Sequence, residues 1–192
     1  MVLAALLLTS CSSMNSGVTV GDKEFSVNDI QKPVDEILEA RKGVDTSQMQ
    51  LASGAELIRN QAQFAIISVV LDLIATDMKI NLTSADIATR RTEIVAQVGG
   101  EKELSKALVS SNLAPSNFEP YIKVRLIIDK LTSNFIEVGA TPEQASEEVS
   151  RLIVAAAKKL GVEINPKYGT WNPITASIES GDITDGAVTP AP

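Results

Sequence analysis

The segment from Ala55 to Lys79 limits what this chain can fold into more than any other stretch. As a helix its middle, Phe64 through Ile74, is apolar on nearly every side. A surface helix carries a single apolar stripe, so a helix that is apolar all round has to be enclosed by other elements. Its longest apolar run, Ala65 to Ala75, is interrupted by Ser68 and Asp72 and falls well short of the ~20 residues that span a membrane. The place expected for it is the centre of a helical bundle.

The flanking sequence supplies the rest of that bundle. Val18-Thr19-Val20 and Glu24 to Val27 flank Gly21-Asp22, which reads as a strand pair or a strand leading into a helix. From Asp29, with Ser26 or Asn28 as cap, Ile30, Val34, Ile37 and Leu38 recur at helical spacing to about Lys42-Gly43; Val44 to Gly54 is polar and aperiodic, as a loop is. Thr83-Ser84-Ala85-Asp86 is a capping box that opens a helix lined by Ile87, Ile94, Val95 and Val98 and stopped by Gly99-Gly100. Leu104, Ala107 and Leu108 mark a short helix ending near Asn112. Ser116 and Glu119 form a further capping-box pattern, with Pro120 tolerated in the first turn, and Tyr121, Val124, Ile128, Leu131 and Phe135 carry that helix to about Phe135.

Thr141-Pro142-Glu143-Gln144 combines a cap, a proline at the first helical position and a glutamine three residues beyond the cap. The helix it starts buries Val149, Leu152, Ile153, Ala156 and Leu160 and stops at Gly161, after which Val162-Glu163-Ile164 alternates like a strand. Tyr168 and Trp171 read as packing residues that close the domain. Residues 172–192, rich in Gly, Thr, Asp and Pro, read as a disordered tail. The fold expected is mainly α: one domain over residues 18–171, a bundle of about six helices with a small two-stranded sheet from the N- and C-terminal segments.

Charge and composition narrow the function. With 17 basic and 24 acidic residues the net charge is −7, and the basic residues are scattered, so a phosphate backbone would be repelled and nucleic acid is not an expected partner. The chain has no histidine, which removes Ser-His-Asp and Cys-His catalysis and the commonest nitrogen ligand of metals. It has no Gly-rich phosphate loop either. No catalytic residues, metal, cofactor or small-molecule substrate are expected. Glu147-Glu148 and Arg90-Arg91 read as solvated helix faces, and Asn81-Leu82-Thr83 matches a glycosylation acceptor by pattern only.

The single cysteine has a place that explains it. Val2 to Leu8 is a short apolar stretch of the kind found in secretory signals, and Leu8-Thr9-Ser10-Cys11 follows it. That tetrapeptide resembles a lipobox, which implies removal of residues 1–10 as a signal peptide, attachment of a diacylglycerol to the Cys11 thiol and residence at the outer face of a bacterial cell membrane. Residues 11–17 then read as a lipidated, flexible tether. No Lys or Arg precedes the apolar stretch, so the natural start is expected further upstream.

The order of segments adds a resemblance. A strand, a helix, a long apolar helix, Lys79-Ile80-Asn81-Leu82-Thr83-Ser84-Ala85-Asp86-Ile87, a Gly-Gly break, a short helix, Leu113-Ala114-Pro115-Ser116-Asn117-Phe118 and a helix with Ile122 and Arg125 together resemble the SurA N-terminal domain over roughly residues 18 to 136. The helix and strand at 142 to 171 are similar to that family's C-terminal return. The resemblance implies an extracytoplasmic chaperone for unfolded or nascent exported polypeptides. Relatives carry parvulin prolyl isomerase domains between the two parts, whereas Glu137 to Thr141 are all that separates them here, so the resemblance implies no isomerase activity. Phe118 and Tyr121, near Leu104 and Leu108 in the helical hairpin, are then either part of an apolar client groove or core. The alternative function is an accessory envelope lipoprotein that binds one dedicated protein partner.

Overall fold

The computed structural model describes residues 15–180, which form a mainly α structure of six helices and five short strands. Strands β1 (Ser16–Val20) and β2 (Lys23–Ser26) make an antiparallel hairpin around Gly21-Asp22. Helices α1 (Val27–Lys42), α2 (Gly54–Asp77), α3 (Ser84–Gln97), α4 (Glu101–Ser110), α5 (Phe118–Glu137) and α6 (Pro142–Leu160) follow. Strand β3 (Val162–Ile164) returns to β1, pairing Val18 with Ile164 and Val20 with Val162, so the sheet has order β2-β1-β3. It thus has three strands where two were expected. Strands β4 (Thr170–Asn172) and β5 (Ser177–Glu179) form a separate hairpin.

Local chemistry sets most helix boundaries. The Ser26, Thr83 and Thr141 side chains each cap a helix by accepting from the backbone N–H of Asp29, Asp86 and Gln144, whose side chains accept in turn from the cap residue's N–H, so two otherwise orphaned N–H groups are satisfied at each start. Four helices end alike. In α2 the Ile80 N–H donates to the Ala75 carbonyl and Lys79 to Thr76; the same pair of bonds recurs at Gly100 and Gly99, at Leu113 and Asn112, and at Ala140 and Gly139. This motif needs a left-handed residue, supplied twice by glycine, once by Asn112 (φ 52°) and once by Lys79 (φ 55°).

Helix α2 is the axis of the molecule. It packs on α1, α5, α6, β1 and β5, and Ala62, Ile66, Val70, Leu71 and Ile74 are buried along it. The main core joins these residues to Val18 and Val20 of the sheet, Val124, Ile127 and Leu131 of α5, Val149 and Ala157 of α6, and Tyr168. Each fully buried aliphatic side chain contributes roughly 1.5–3 kcal/mol relative to exposure. At 24 residues the continuous helix outruns the apolar stretch seen in sequence and is long and apolar enough to cross a membrane, yet its sides are packed with protein.

Three sequence expectations need correction. Ser16 and Gly17, assigned to the tether, belong to β1; a Cβ on Gly17 would lie 2.9 Å from the Ser26 carbonyl oxygen, so a residue read as flexible is small because two strands meet there. Residues 172–179, assigned to the tail, are ordered. Gln63 of α2 donates to the Ala176 carbonyl (2.9 Å) and accepts from the Ile178 N–H (2.7 Å), and Ala176 and Ile178 are buried against the main core. The Ser116–Glu119 capping box does not form; Pro115–Asn117 make a 3-10 turn whose Ser116 N–H donates to Glu36 of α1 at 3.0 Å. Cys11 and the signal segment lie outside the described residues.

Two predictions follow from these local devices. Gly169 sits at φ 129°, and a Cβ there would collide with the Glu179 carbonyl oxygen across the β4–β5 hairpin. Gly169→Ala should cost more than about 2 kcal/mol in urea unfolding. Fluorescence of Trp171 in β4, the single tryptophan of the chain, should report the hairpin's release.

The second concerns acid. Hydrogen bonds from Ser26 hold the Asp29 carboxyl below the ordinary value near 3.8, and bonds from Thr83 do the same for Asp86. A carboxyl depressed in the folded state binds fewer protons there than in the unfolded chain, so its contribution is complete above about pH 4 and lost as pH falls below that. The melting temperature of an Asp29→Asn/Asp86→Asn variant should therefore fall less steeply than wild type between pH 5 and pH 2.

Candidate functional site

Helices α3 and α4 do not share the main core. Leu104 and Leu108 of α4 bury themselves against Phe118 and Ile122 of α5, with Ile87, Ile94, Val95 and Val98 of α3 packed alongside. The hairpin therefore rides on α5: α3 packs on α5 and α4, and α4 on α1 and α3. Arg90 of α3 reaches Asp129 of α5 at 2.9 Å, and Arg91, paired with Glu101 at 2.6 Å, lies 6.0 Å from the centre of the Phe118 ring. The Arg90-Arg91 pair, read in sequence as a solvated face, is only partly exposed: Arg90 reaches α5, while Arg91 bonds within the hairpin.

Because the hairpin stands on α5, a cleft of about 570 Å³ remains between it and α2. One wall is Asn60, Gln61 and Phe64 of α2. The opposite wall carries Ile94, Gln97 and Val98 of α3 with Leu104 and Leu108 of α4. Phe118 and Tyr121 close the α5 side. Gln61 and Phe64 also border a separate, smaller recess of about 200 Å³, lined by Phe25 of β2, Pro33 of α1 and Pro120 of α5. A mostly apolar depression of this size with a few polar groups is the usual form of a binding site. A separate cavity of about 560 Å³, bordered by Asp72, Thr76, Lys79, Asn81 and Lys123, is more polar, and its Lys123 is already paired with Asp72 at 2.7 Å.

The floor of the cleft is a polar network. Gln61 is 5% exposed; its amide donates to the Asn112 carbonyl at 3.3 Å and accepts from Asn117 at 3.3 Å. The Asn112 side-chain oxygen accepts from Arg41 Nη2 (2.7 Å) and from the Ala52 N–H (3.2 Å), and the same Arg41 nitrogen donates to the Ala52 carbonyl (2.7 Å). Residues 41–61 and 112–117, two stretches distant in sequence, are tied together at this point. Amides that satisfy one another in this way, Gln61 buried and Asn112 and Asn117 half-buried, specify a single arrangement more sharply than apolar contacts do.

All four residues singled out in the sequence line this cleft. Their exposure differs. Leu104 and Leu108 are each 9% exposed and Phe118 is 6% exposed, so they are core side chains whose edges reach the opening, while Tyr121 is half-buried and offers more of its ring. Sequence reasoning missed the α2 wall, although polar Asn60 and Gln61 in an otherwise apolar helix were a signal, and it missed Asn112, whose place after α4 read only as a helix end. Tyr168 is buried as expected, and burial pushes its phenol up. Trp171 is half-buried beside the same core. Glu147 and Glu148 face Arg151 on the surface of α6.

Comparison with known proteins finds no family model that matches this chain, no curated protein similar to it in sequence and no solved structure similar to it in fold.

The unequal exposure of the lining residues is measurable. Phe118→Ala should lose roughly 3–5 kcal/mol, as for other buried aromatics, and loosen the α3–α4 hairpin. Tyr121→Asn should cost under about 1 kcal/mol and keep a cooperative transition in urea. Equal losses at the two positions would show that Tyr121 is core as well.

Proposed function

We propose that this protein is a lipid-anchored, extracytoplasmic chaperone-like lipoprotein that captures unfolded or partly folded exported polypeptides in the cleft between α2 and the α3–α4 hairpin. The observation that carries this reading is the convergence of Leu104, Leu108, Phe118 and Tyr121, chosen from the sequence, on one mostly apolar cleft. The resemblance to the SurA N-terminal domain supplies the kind of client. Capture requires only that apolar client side chains exchange water for the aromatic and aliphatic lining, with Asn60, Gln97 and Ser111 available to bond a client backbone.

The anchor is part of the proposal. A diacylglycerol on Cys11 brings two acyl chains, enough for stable attachment where one chain binds only reversibly. No catalytic step belongs to this reading: α5 and α6 are joined by residues 138–141 alone, where relatives of the family carry an isomerase domain. Ile136 and Val138 beside that junction are exposed, Val138 to 82%, which is unusual for side chains of their type and is consistent with a surface that a larger relative would cover.

The reading is tested by titrating the lipid-free protein against aggregation of a chemically denatured model protein. Suppression should approach completion at a few-fold excess and weaken in a Tyr121→Asn variant that keeps its melting temperature. No suppression at such excess rejects general chaperoning, and binding of one folded envelope protein instead would establish the dedicated-partner alternative. The anchor has its own assay. Cells fed a fatty-acid probe should label the wild type and not Cys11→Ala, with the chain expressed from its full natural start.

A further inference from the structure

The width of the cleft has a structural cause that its lining does not disclose. Helix α2 packs on α1, α5 and α6, while α3 and α4 pack on α5, α1 and each other, so close packing between the two walls does not set their separation. The hairpin meets the rest of the molecule in three places. One is its apolar face against α5, through the contacts around Phe118 and the Arg90–Asp129 pair. Another is α4 against α1. The third is the end of α4 at Asn112, which forms part of the cleft floor with Ser111 and Leu113.

Asn112 is bound in a way unlike the other left-handed helix ends. Its backbone is at φ 52°. Its side-chain oxygen is held by Arg41 of α1 and by the Ala52 N–H of the segment before α2, and its carbonyl oxygen by Gln61 of α2. Arg41 is committed to this contact: Nη2 spans Ala52 and Asn112, and its buried Nε has no hydrogen-bond partner among the described residues. Asparagine suits the position because it tolerates left-handed backbone and still presents an acceptor, whereas the glycine used at Gly99 and Gly139 would meet only the first need.

We propose that Asn112 is a positioning residue of the cleft: held by Arg41, Ala52 and Gln61, it fixes the angle at which the α3–α4 hairpin stands off α2, and with it the opening offered to a polypeptide. This rests on the reading of the cleft as the client site, but the geometry can be measured without a client. Spin labels on Asn60→Cys and Gln97→Cys, exposed positions on opposite walls, report the opening in the full chain carrying Cys11→Ser. The parent protein should give one narrow distance distribution. Asn112→Gly keeps the backbone and removes the acceptor, and should broaden or displace that distribution while helix content stays the same. Asn112→Asp restores an acceptor and adds a charge facing Arg41, and should return the distribution to that of the parent.

An unchanged distribution in Asn112→Gly, or a failure of Asn112→Asp to restore it, overturns the proposal. Should Asn112→Gly not fold, Arg41→Met decides, since it keeps an apolar stem but has no donor for either acceptor: a broadened distribution supports the proposal and an unchanged one overturns it. Aggregation suppression by the parent is scored separately. If the parent suppresses nothing while the distances respond as described, the chaperone reading fails and the positioning role stands. If it does suppress, Asn112→Gly should weaken suppression several-fold and Asn112→Asp should recover it.

Discussion

Everything in this molecule is arranged around the burial of one helix. Removing both faces of α2 from water is strongly favourable, and it demands neighbours on every side: α1 and β1, α5, α6, and the C-terminal β5. Those neighbours come from both ends of the chain. The order of elements is therefore less a string of helices than a wrapping, begun by the β1–β2 hairpin and completed by the β4–β5 hairpin, which docks through Gln63. The surface ion pairs add little to this, since their side chains are all more than a third exposed.

The cleft arises where the wrapping is incomplete. The α3–α4 hairpin has its own small core, shared with the start of α5, and covers part of α2 only at a distance. Apolar side chains line the gap while Gln61, Asn112 and Asn117 bond one another beneath it. These bonds tie α2 to the end of α4 and to the turn before α5, so the floor has one arrangement.

How far the sequence could be read depended on the range of the interactions. Helix starts at Thr83 and Thr141 and the stop at Gly99-Gly100 are local patterns and were legible, while for the first helix the pattern left Ser26 and Asn28 both open and the structure caps it with Ser26. The enclosed position of α2 was legible because its composition leaves no solvent face. Ser116 was misread for the opposite reason: its N–H is satisfied by Glu36, a residue far back in the chain that no local pattern reveals. The ordered hairpin after residue 170 was missed because composition speaks for disorder while a single glutamine on α2 supplies the anchoring bonds. At the site the aromatic and leucine lining was visible as helix periodicity. The α2 wall and Asn112 were not, since their meaning depends on how the hairpin is set on α5.

The place of β1 in the sheet bears on how the protein is made. It is the middle strand, and its second edge stays vacant until residues 162–164, near the far end of the described chain, are available to pair with it. Asn165 then ties the join, its backbone N–H donating to the Gly17 carbonyl at 2.7 Å and its side chain to the Ser16 carbonyl at 2.9 Å. In a polypeptide delivered amino end first, the helices can begin to form during delivery, whereas this closure is a late event of long contact order. Until it happens Val18 and Val20 lack their final cover, so the interval between emergence and closure is when the nascent chain most needs shielding from its neighbours.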